Sequence, residues 1–222
     1  MTLLIFDCDG VLVDSELLAH AELAELMTTL GHLMTAQQAL EMFAGRRLDD
    51  VLASAEALLA RPIPPEMGRE VGQRLLARFR RELKPVDGVR EAIAALPYPR
   101  CVASSSMRER LVLSLEVTGF APLFADRLFS ADQVERGKPA PDLFLFAARC
   151  LATPAAACIV IEDSTLGISA ARAAGMKTIG FAGAGHATAQ LAQQLEQAGA
   201  EIVIRTMAEL PAAVRNLVEA FG

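Results

Sequence analysis

The sequence LLIFDCDG, residues 3–10, decides how the rest of the chain is interpreted. Its first four residues are all apolar, which is typical of a strand buried on both faces in a parallel sheet. Asp7 and Asp9 follow this strand at once, and ligands of open α/β sheets bind beyond the carboxyl ends of the strands. Because an unpaired ionised carboxylate is strongly disfavoured in an apolar setting, these acids require a metal, a cation or a reaction.

Strand and helix patterns alternate beyond Gly88. Short apolar strands are predicted at residues 101–103, around 128–129, and at 158–161, 178–181 and 202–204, with helical stretches between them. Strands that alternate with helices indicate an α/β fold, a Rossmann-like parallel sheet with helices on both faces.

Between the first strand and this region, the apolar residues recur with helical spacing. Leu23, Leu26, Met27 and Leu30, for example, fall at i, i+3, i+4 and i+7. We therefore predict an α/β core domain, formed by residues 1–15 and 84–222, and an inserted α-helical domain, residues 16–83, over the carboxyl end of the sheet.

The composition restricts the possible partners. The 222 residues carry a net charge of −6, which disfavours nucleic acid and anionic membranes because phosphate binding needs clustered Lys and Arg. No apolar run approaches the roughly 20 residues of a membrane helix, and no basic stretch precedes the first strand, so we expect no secretory signal. Four cysteines without CxxC spacing favour reduced core residues in a cytoplasmic protein.

Other predicted strand ends bring polar groups to the edge that carries Asp7 and Asp9. They are Ser104, Lys138, Glu162 and Asp163. Carboxylates are hard oxygen donors that suit Mg²⁺, a lysine adds positive charge, and a serine hydroxyl donates to an oxyanion. Acids around one metal, opposed by Lys and Ser, suit phosphoryl transfer, which needs charge neutralisation on the transferring oxygens.

Four motifs in order resemble those of the haloacid dehalogenase-like hydrolase superfamily. They are DCDGV at residues 7–11, Ser104, GKP at 137–139 and EDS at 162–164. The longer runs DCDGVLVDSE, GKPAPD and IEDSTLGISAA resemble the β-phosphoglucomutase-like phosphatase branch in particular.

The resemblance implies a role for each motif residue. Asp7 would attack phosphorus and form an aspartyl phosphate, and Asp9 would protonate the leaving oxygen and then activate water. Mg²⁺ would be held by the Asp7 side chain, the Asp9 backbone carbonyl and Asp163, with Glu162 bound directly or through water. Ser104 and Lys138, with Ser105 beside them, would hold the phosphoryl group. As alternatives, Ser105 or Ser106 caps the next helix, and Lys138 is a solvated loop charge.

The helical insert resembles the cap domain of this branch, which closes over the active site. Arg46 and Arg47 lie in a connection between its predicted helices, where two arginines can clamp a second anion of the substrate. It is an equal alternative that both arginines are solvated surface charges.

Mutases of the family carry a histidine where this chain has Ala19, and His20 is one residue out of phase. We therefore read His20 as a surface or hinge-proximal residue. His186 has no motif partner.

The expected function is a Mg²⁺-dependent phosphatase, monomeric or homodimeric, that hydrolyses a small phosphorylated sugar or a sugar acid such as a phosphogluconate. A sugar-phosphate mutase that uses the same aspartyl phosphate is the nearest alternative. A non-catalytic phospho-aspartate switch is disfavoured, because a switch needs neither an acid at Asp9 nor a lid.

Overall fold

The computed structural model describes residues 2–43, 46 and 48–219. In this part of the chain one sheet has six strands: β1 Leu3–Phe6, β2 Arg100–Ser104, β3 Leu128–Ser130, β4 Cys158–Glu162, β5 Lys177–Phe181 and β6 Ile202–Ile204. The strand order is β3-β2-β1-β4-β5-β6, and every neighbouring pair is parallel. The predicted α/β fold with a parallel sheet is confirmed.

The helices of the described residues are α1 Glu16–Thr29, α2 Ala36–Phe43, α3 Leu48–Leu59, α4 Pro65–Glu82, α5 Val89–Ala94, α6 Arg108–Val117, α7 Ala121–Phe124, α8 Asp142–Cys150, α9 Thr165–Ala173, α10 Leu191–Ala198 and α11 Leu210–Glu219. None of them is long and apolar enough to span a membrane. The sequence patterns did not predict α7 or α10. α7 has only four residues, too few for a periodic signal, and α10 contains three glutamines and one glutamate among its eight residues.

β1 is buried on both faces, as its unbroken apolar sequence predicts. Leu4 and Phe6 join an apolar cluster with residues of α5, α6 and α11, whereas Leu3 and Ile5 join a second cluster with residues of α8 and α9. All four side chains are at most 1% exposed. Burying each such side chain stabilises the fold by roughly 1.5–3 kcal/mol, and the strand therefore fixes the position of whatever follows it.

The strand order places a crevice directly after β1. The chain moves from β1 to β2 and β3 on one side, then crosses back to β4 on the other side of β1. At such a reversal the connections leave in opposite directions, which opens a binding site at the carboxyl ends of the two strands. Phe6 pairs with Ile161, so Asp7 emerges beside Glu162, and the Asp7 N–H donates to the Ile161 carbonyl at 3.0 Å.

The helical insert has an apolar cluster of its own. Residues from α1, α2 and α3 form this cluster with Val71 of α4. Further along α4, Leu75 and Phe79 belong instead to the cluster that contains Leu4 and Phe6, as does Leu83, which follows the last turn of the helix. α4 is therefore shared between the insert and the α/β core.

Candidate active site

Asp7 lies at the centre of a buried charge cluster at the end of β1. The Lys138 Nζ donates to Asp7 Oδ1 at 2.8 Å and to Glu162 Oε1 at 2.5 Å. Burial raises the pKa of Asp7, and Glu162 and Asp163 raise it further against the lowering effect of the Lys138 ammonium. The structure thus brings residues of three predicted motifs together around one ammonium group.

The Lys138 side chain is almost completely buried in the site. Its Nζ also donates to the Ala103 carbonyl at 3.1 Å, and it lies 4.9 Å from the centre of the Phe144 ring. The side chain is 2% exposed, so Lys138 is not a solvated loop charge. The adjacent carboxylates raise its pKa despite burial, and the amine is therefore charged.

Three carboxylates of this cluster have the arrangement of a metal site. One oxygen from each of Asp7, Glu162 and Asp163 lies within 4.8 Å of the others. A Cβ at Gly10 would come within 1.8 Å of Asp163 Oδ2, so only glycine lets this carboxylate approach the loop after β1. Gly10 also has a φ of +75°, which glycine adopts readily. Clustered oxygen donors in this setting fit a hard divalent cation such as Mg²⁺.

The two acids of the last motif have different surroundings. Glu162 is fully buried, with Oε1 bonded to Lys138 and Oε2 accepting the Ser164 hydroxyl at 2.9 Å and its N–H at 3.1 Å. Asp163 Oδ2 lies 3.0 Å from His186 Nε2. Although burial disfavours its charged form, the bond to Asp163 raises the pKa of His186 to about 9. His186, for which the sequence offered no partner, therefore belongs to the site.

Asp9 is held by a separate set of donors. Arg110 Nη2 and the Ser15 hydroxyl donate to its Oδ1 at 2.7 and 2.5 Å, and the Ser106 hydroxyl donates to its Oδ2 at 2.6 Å. Burial alone would raise the pKa of Asp9, but the Arg110 guanidinium and the bonds from Ser106 and Ser15 lower it below its ordinary value. This arrangement favours the ionised form of Asp9 and fixes the orientation of its carboxylate.

The serine run at the end of β2 brings two hydroxyls, those of Ser104 and Ser106, to this site. Ser104 is buried, its Oγ accepts the Ser106 N–H at 3.0 Å, and it lies 3.5 Å from Asp9 Oδ2. Ser105 is half-buried. The alternative that a serine caps the next helix is wrong, because Met107 precedes α6 and no side chain caps it.

Two further titratable groups lie at the start of α1. Burial raises the pKa of Glu16 to about 7, and its Oε2 is buried without a hydrogen-bond partner among the described residues. His20 Nδ1 donates to the Glu16 carbonyl at 2.7 Å, and burial lowers the pKa of the imidazole to about 4. His20 is therefore not a surface residue: it is 6% exposed and neutral at pH 7.

The insert residues predicted to contact substrate are less defined. Arg46 is exposed between α2 and α3, where its Nη1 lies 3.3 Å from Ser54 Oγ of α3. Arg47 lies outside the described residues.

Three of the cysteines are buried and Cys150 is exposed, and all four are free thiols.

Sequence reasoning missed Arg110, Ser106, Glu16 and His186. Ser106 and Arg110 lie just beyond Ser104, and His186 follows β5, so all three come after a strand end at the predicted edge. Gly183 and Gly185, just before His186, offered a second signal, because glycine permits close approach of the backbone. In the structure a Cβ at Gly185 would come within 2.5 Å of Asp14 Oδ2.

Two curated phosphatases from Escherichia coli (strain K12) are similar to this chain over most of its length. A 6-phosphogluconate phosphatase is 27% identical over 177 residues, which is 79% of this chain and 80% of the relative. Hexitol phosphatase B is 32% identical over 182 residues, 79% of this chain and 81% of the relative.

A solved structure shows the same architecture. A haloacid dehalogenase-like protein of unknown function from Agrobacterium tumefaciens is 39% identical, with a TM-score of 0.86 over 98% of this chain and 99% of that chain. The family profile described as haloacid dehalogenase-like hydrolase matches residues 4–181. These matches confirm the resemblance seen in the motifs and the expectation of an enzyme with phosphatase relatives. The chain belongs to the haloacid dehalogenase-like hydrolase family.

Proposed function

We propose that this hydrolase is a Mg²⁺-dependent phosphatase that cleaves a small phosphorylated sugar or sugar acid, such as a phosphogluconate, through an aspartyl phosphate. One observation carries the proposal: Asp7 and Asp9 are only two residues apart, but they are bonded to two separate sets of side chains. Asp7 is bound to Lys138 beside Glu162 and Asp163, whereas Asp9 is bound to Arg110 and two serines. A nucleophile and a proton carrier need such separate environments.

The reaction we propose has two steps. An Asp7 carboxylate oxygen forms a bond to phosphorus while the bond to the ester oxygen breaks, and Asp9, in its protonated form, gives that oxygen a proton. Water then attacks the phosphorus of the aspartyl phosphate, Asp9 accepts its proton, and the Asp7 carboxylate is released with inorganic phosphate. The lowered pKa of Asp9 favours the ionised form that the second step requires, whereas the first step uses its protonated form.

The carboxylates fit a Mg²⁺ ion held by Asp7, Asp163 and the Asp9 backbone carbonyl. Both oxygens of Glu162 are already bonded, to Lys138 and Ser164, which favours a Glu162 that orients its neighbours or binds through water. When bound, the metal would neutralise charge on the phosphoryl oxygens. Lys138 and Ser104 contribute a positive charge and a hydroxyl from the other side, with Ser105 next to them.

The substrate class is supported by the relatives, one named for 6-phosphogluconate and one for hexitols. A second anion on the substrate, such as the carboxylate of a sugar acid, would bind Arg46 and Arg47 of the insert. The mutase alternative is weakened by His20, because its imidazole is neutral and is bonded to the Glu16 carbonyl within its own helix.

The test is a phosphate-release screen of the purified protein over phosphorylated sugars and sugar acids, with Mg²⁺ and with a chelator. We expect Mg²⁺-dependent release of inorganic phosphate, with many turnovers per protein. An isomerised phosphosugar in place of phosphate would establish the mutase. A single phosphorylation without turnover would establish the switch.

A further inference from the structure

We propose that Arg110 is a positioning residue that holds Asp9 toward the leaving oxygen and makes this orientation depend on helix α4. The inference rests on the proposed phosphatase function, because it assigns Asp9 the role of proton donor. It extends that function to a residue that belongs to none of the four motifs.

The first observation is the way in which Asp9 is fixed. Arg110 Nη2 donates to Oδ1 at 2.7 Å, and Ser15 donates to the same oxygen from the segment before α1. Ser106 donates to Oδ2. Arg110 supplies the charged bond among the three, and charge-assisted bonds are the stronger kind, so it dominates the orientation of the carboxylate.

The second observation is the contact between Arg110 and the insert helix. The Arg110 guanidinium carbon lies 5.2 Å from the centre of the Phe79 ring, and Phe79 is 1% exposed. A guanidinium over an aromatic face is attracted by the ring, and the ring also restricts where the guanidinium can lie. Phe79 is on α4, whose earlier residue Val71 is part of the insert's own apolar cluster.

A physical chain therefore runs from the insert to the acid. α4 sets the position of the Phe79 ring, the ring limits Arg110, and Arg110 orients Asp9. A displacement of α4 changes the support of the proton donor without any contact between α4 and the substrate.

The experiment compares two phosphate esters whose leaving groups need different help. Phenyl phosphate has a phenolate leaving group about as basic as that of tyrosine, whose phenol has a pKa of about 10, and so needs a proton donor. p-Nitrophenyl phosphate has a far less basic leaving group. Single-turnover release of each phenol isolates the first step from the hydrolysis of the aspartyl phosphate.

We expect Arg110→Gln to slow phenol release from phenyl phosphate about 100-fold, and release from p-nitrophenyl phosphate less than about fivefold. Arg110→Lys should restore roughly tenfold of the loss, because it keeps the charge. Phe79→Leu should change the ratio in the same direction by a smaller factor, and should add nothing in the Arg110→Gln background.

Arg90 provides the matched control. Its guanidinium also lies over a buried ring, 4.6 Å from the centre of Phe120, and its Nη2 donates to the Thr118 carbonyl at 2.8 Å. Arg90 belongs to α5 and contacts the segment that follows α6, so Arg90→Gln removes a stacked arginine of the same kind far from Asp9. The ratio between the two esters should stay that of the wild type.

Equal slowing of both esters by Arg110→Gln would overturn the inference and assign Arg110 to general support of the fold. A raised KM with an unchanged single-turnover ratio would overturn it in favour of direct substrate binding. A wild-type protein that releases no phosphate from any ester would overturn the proposed function and this inference with it, whereas normal wild-type turnover with an unchanged Arg110→Gln ratio would overturn this inference alone.

Discussion

The edge of the sheet and the exposed face of the helical insert hold their charged side chains in opposite ways. At the edge, Lys138 is 2% exposed and Glu162 is fully buried, and the two are bonded to each other. In the insert, the side chains of Arg81 and Glu82 are 66% and 42% exposed at an N–O distance of 3.7 Å. The buried pair fixes the positions of both side chains, whereas the exposed pair places little constraint on which residues occupy its two positions.

The difference is one of cost. A charge buried without a partner is strongly destabilising, so each charged group at the edge requires the others. Their residue types therefore indicate the chemistry of the site from the sequence alone. An exposed pair contributes roughly 0–1 kcal/mol, so the surface of the insert is not fixed by stability. The reaction is therefore easier to infer from this chain than the substrate.

The largest effect should come from Asp7→Asn, which removes the nucleophile from the edge. We expect turnover of any phosphate ester to fall by about 10⁴-fold or more, the scale of losing a nucleophile. The fold should remain, because the amide oxygen can still accept from the Lys138 ammonium, which keeps its bond to Glu162. Phosphate release is the measurement, with circular dichroism as the check of folding, and retained turnover in a folded variant would exclude Asp7 as the nucleophile.

The second prediction compares the two regions directly. Lys138→Met should lower the free energy of unfolding by roughly 3–5 kcal/mol, because Asp7 and Glu162 lose the ammonium between them. Arg81→Met, in the insert, should change it by less than about 0.5 kcal/mol. Urea unfolding of the two variants at pH 7 with a chelator measures both, and losses of similar size would show that the edge cluster is no more constrained than the surface.

The contrast also explains what could be predicted from the sequence. An unbroken apolar strand is expected to be buried, and the carboxyl ends of parallel strands meet at one edge of the sheet. The sequence alone therefore predicts that Asp7, Lys138 and Asp163 lie together. Arg110 could not, because it is contributed by a helix whose periodicity indicates only which face is buried. Its bond to Asp9 depends on how α6 lies against α4, which no local pattern specifies.

The same limit applies to His20 and His186. The sequence favours a surface or hinge-proximal position for His20, yet its side chain is buried. His186 follows β5 in a loop, and its bond to Asp163 depends on the close approach that Gly10 permits. Both are long-range packing results rather than local ones.

The third prediction concerns His20, a buried titratable group within the insert. Its pKa is about 4 in the folded protein and about 6.5 when unfolded, so the unfolded chain binds the proton first as the pH falls. This contribution to stability is therefore complete above pH 6.5 and is lost between pH 6.5 and 4, a loss of about 3 kcal/mol by linkage.

His20→Gln removes this titration while an amide can still donate to the Glu16 carbonyl. The free energy of unfolding of the wild type should approach or fall below that of the variant as the pH is lowered from 7 to 4, measured by urea unfolding at each pH. A difference between the two proteins that does not change with pH would mean that His20 is protonated alike in both states.

The smallest effect is expected at Arg46, on the exposed side of the comparison. Arg46→Ala should leave the free energy of unfolding within about 0.5 kcal/mol, because its one described side-chain bond, to Ser54, is exposed. If it clamps a second anion, KM for 6-phosphogluconate should rise about fivefold, the scale of about 1 kcal/mol for an exposed ion pair, with no change for glucose 6-phosphate. Arg215→Ala, an exposed arginine of α11, serves as the control and should change neither substrate. An equal response of both substrates to Arg46→Ala would remove the clamp and leave the recognition of sugar acids to other residues of the insert.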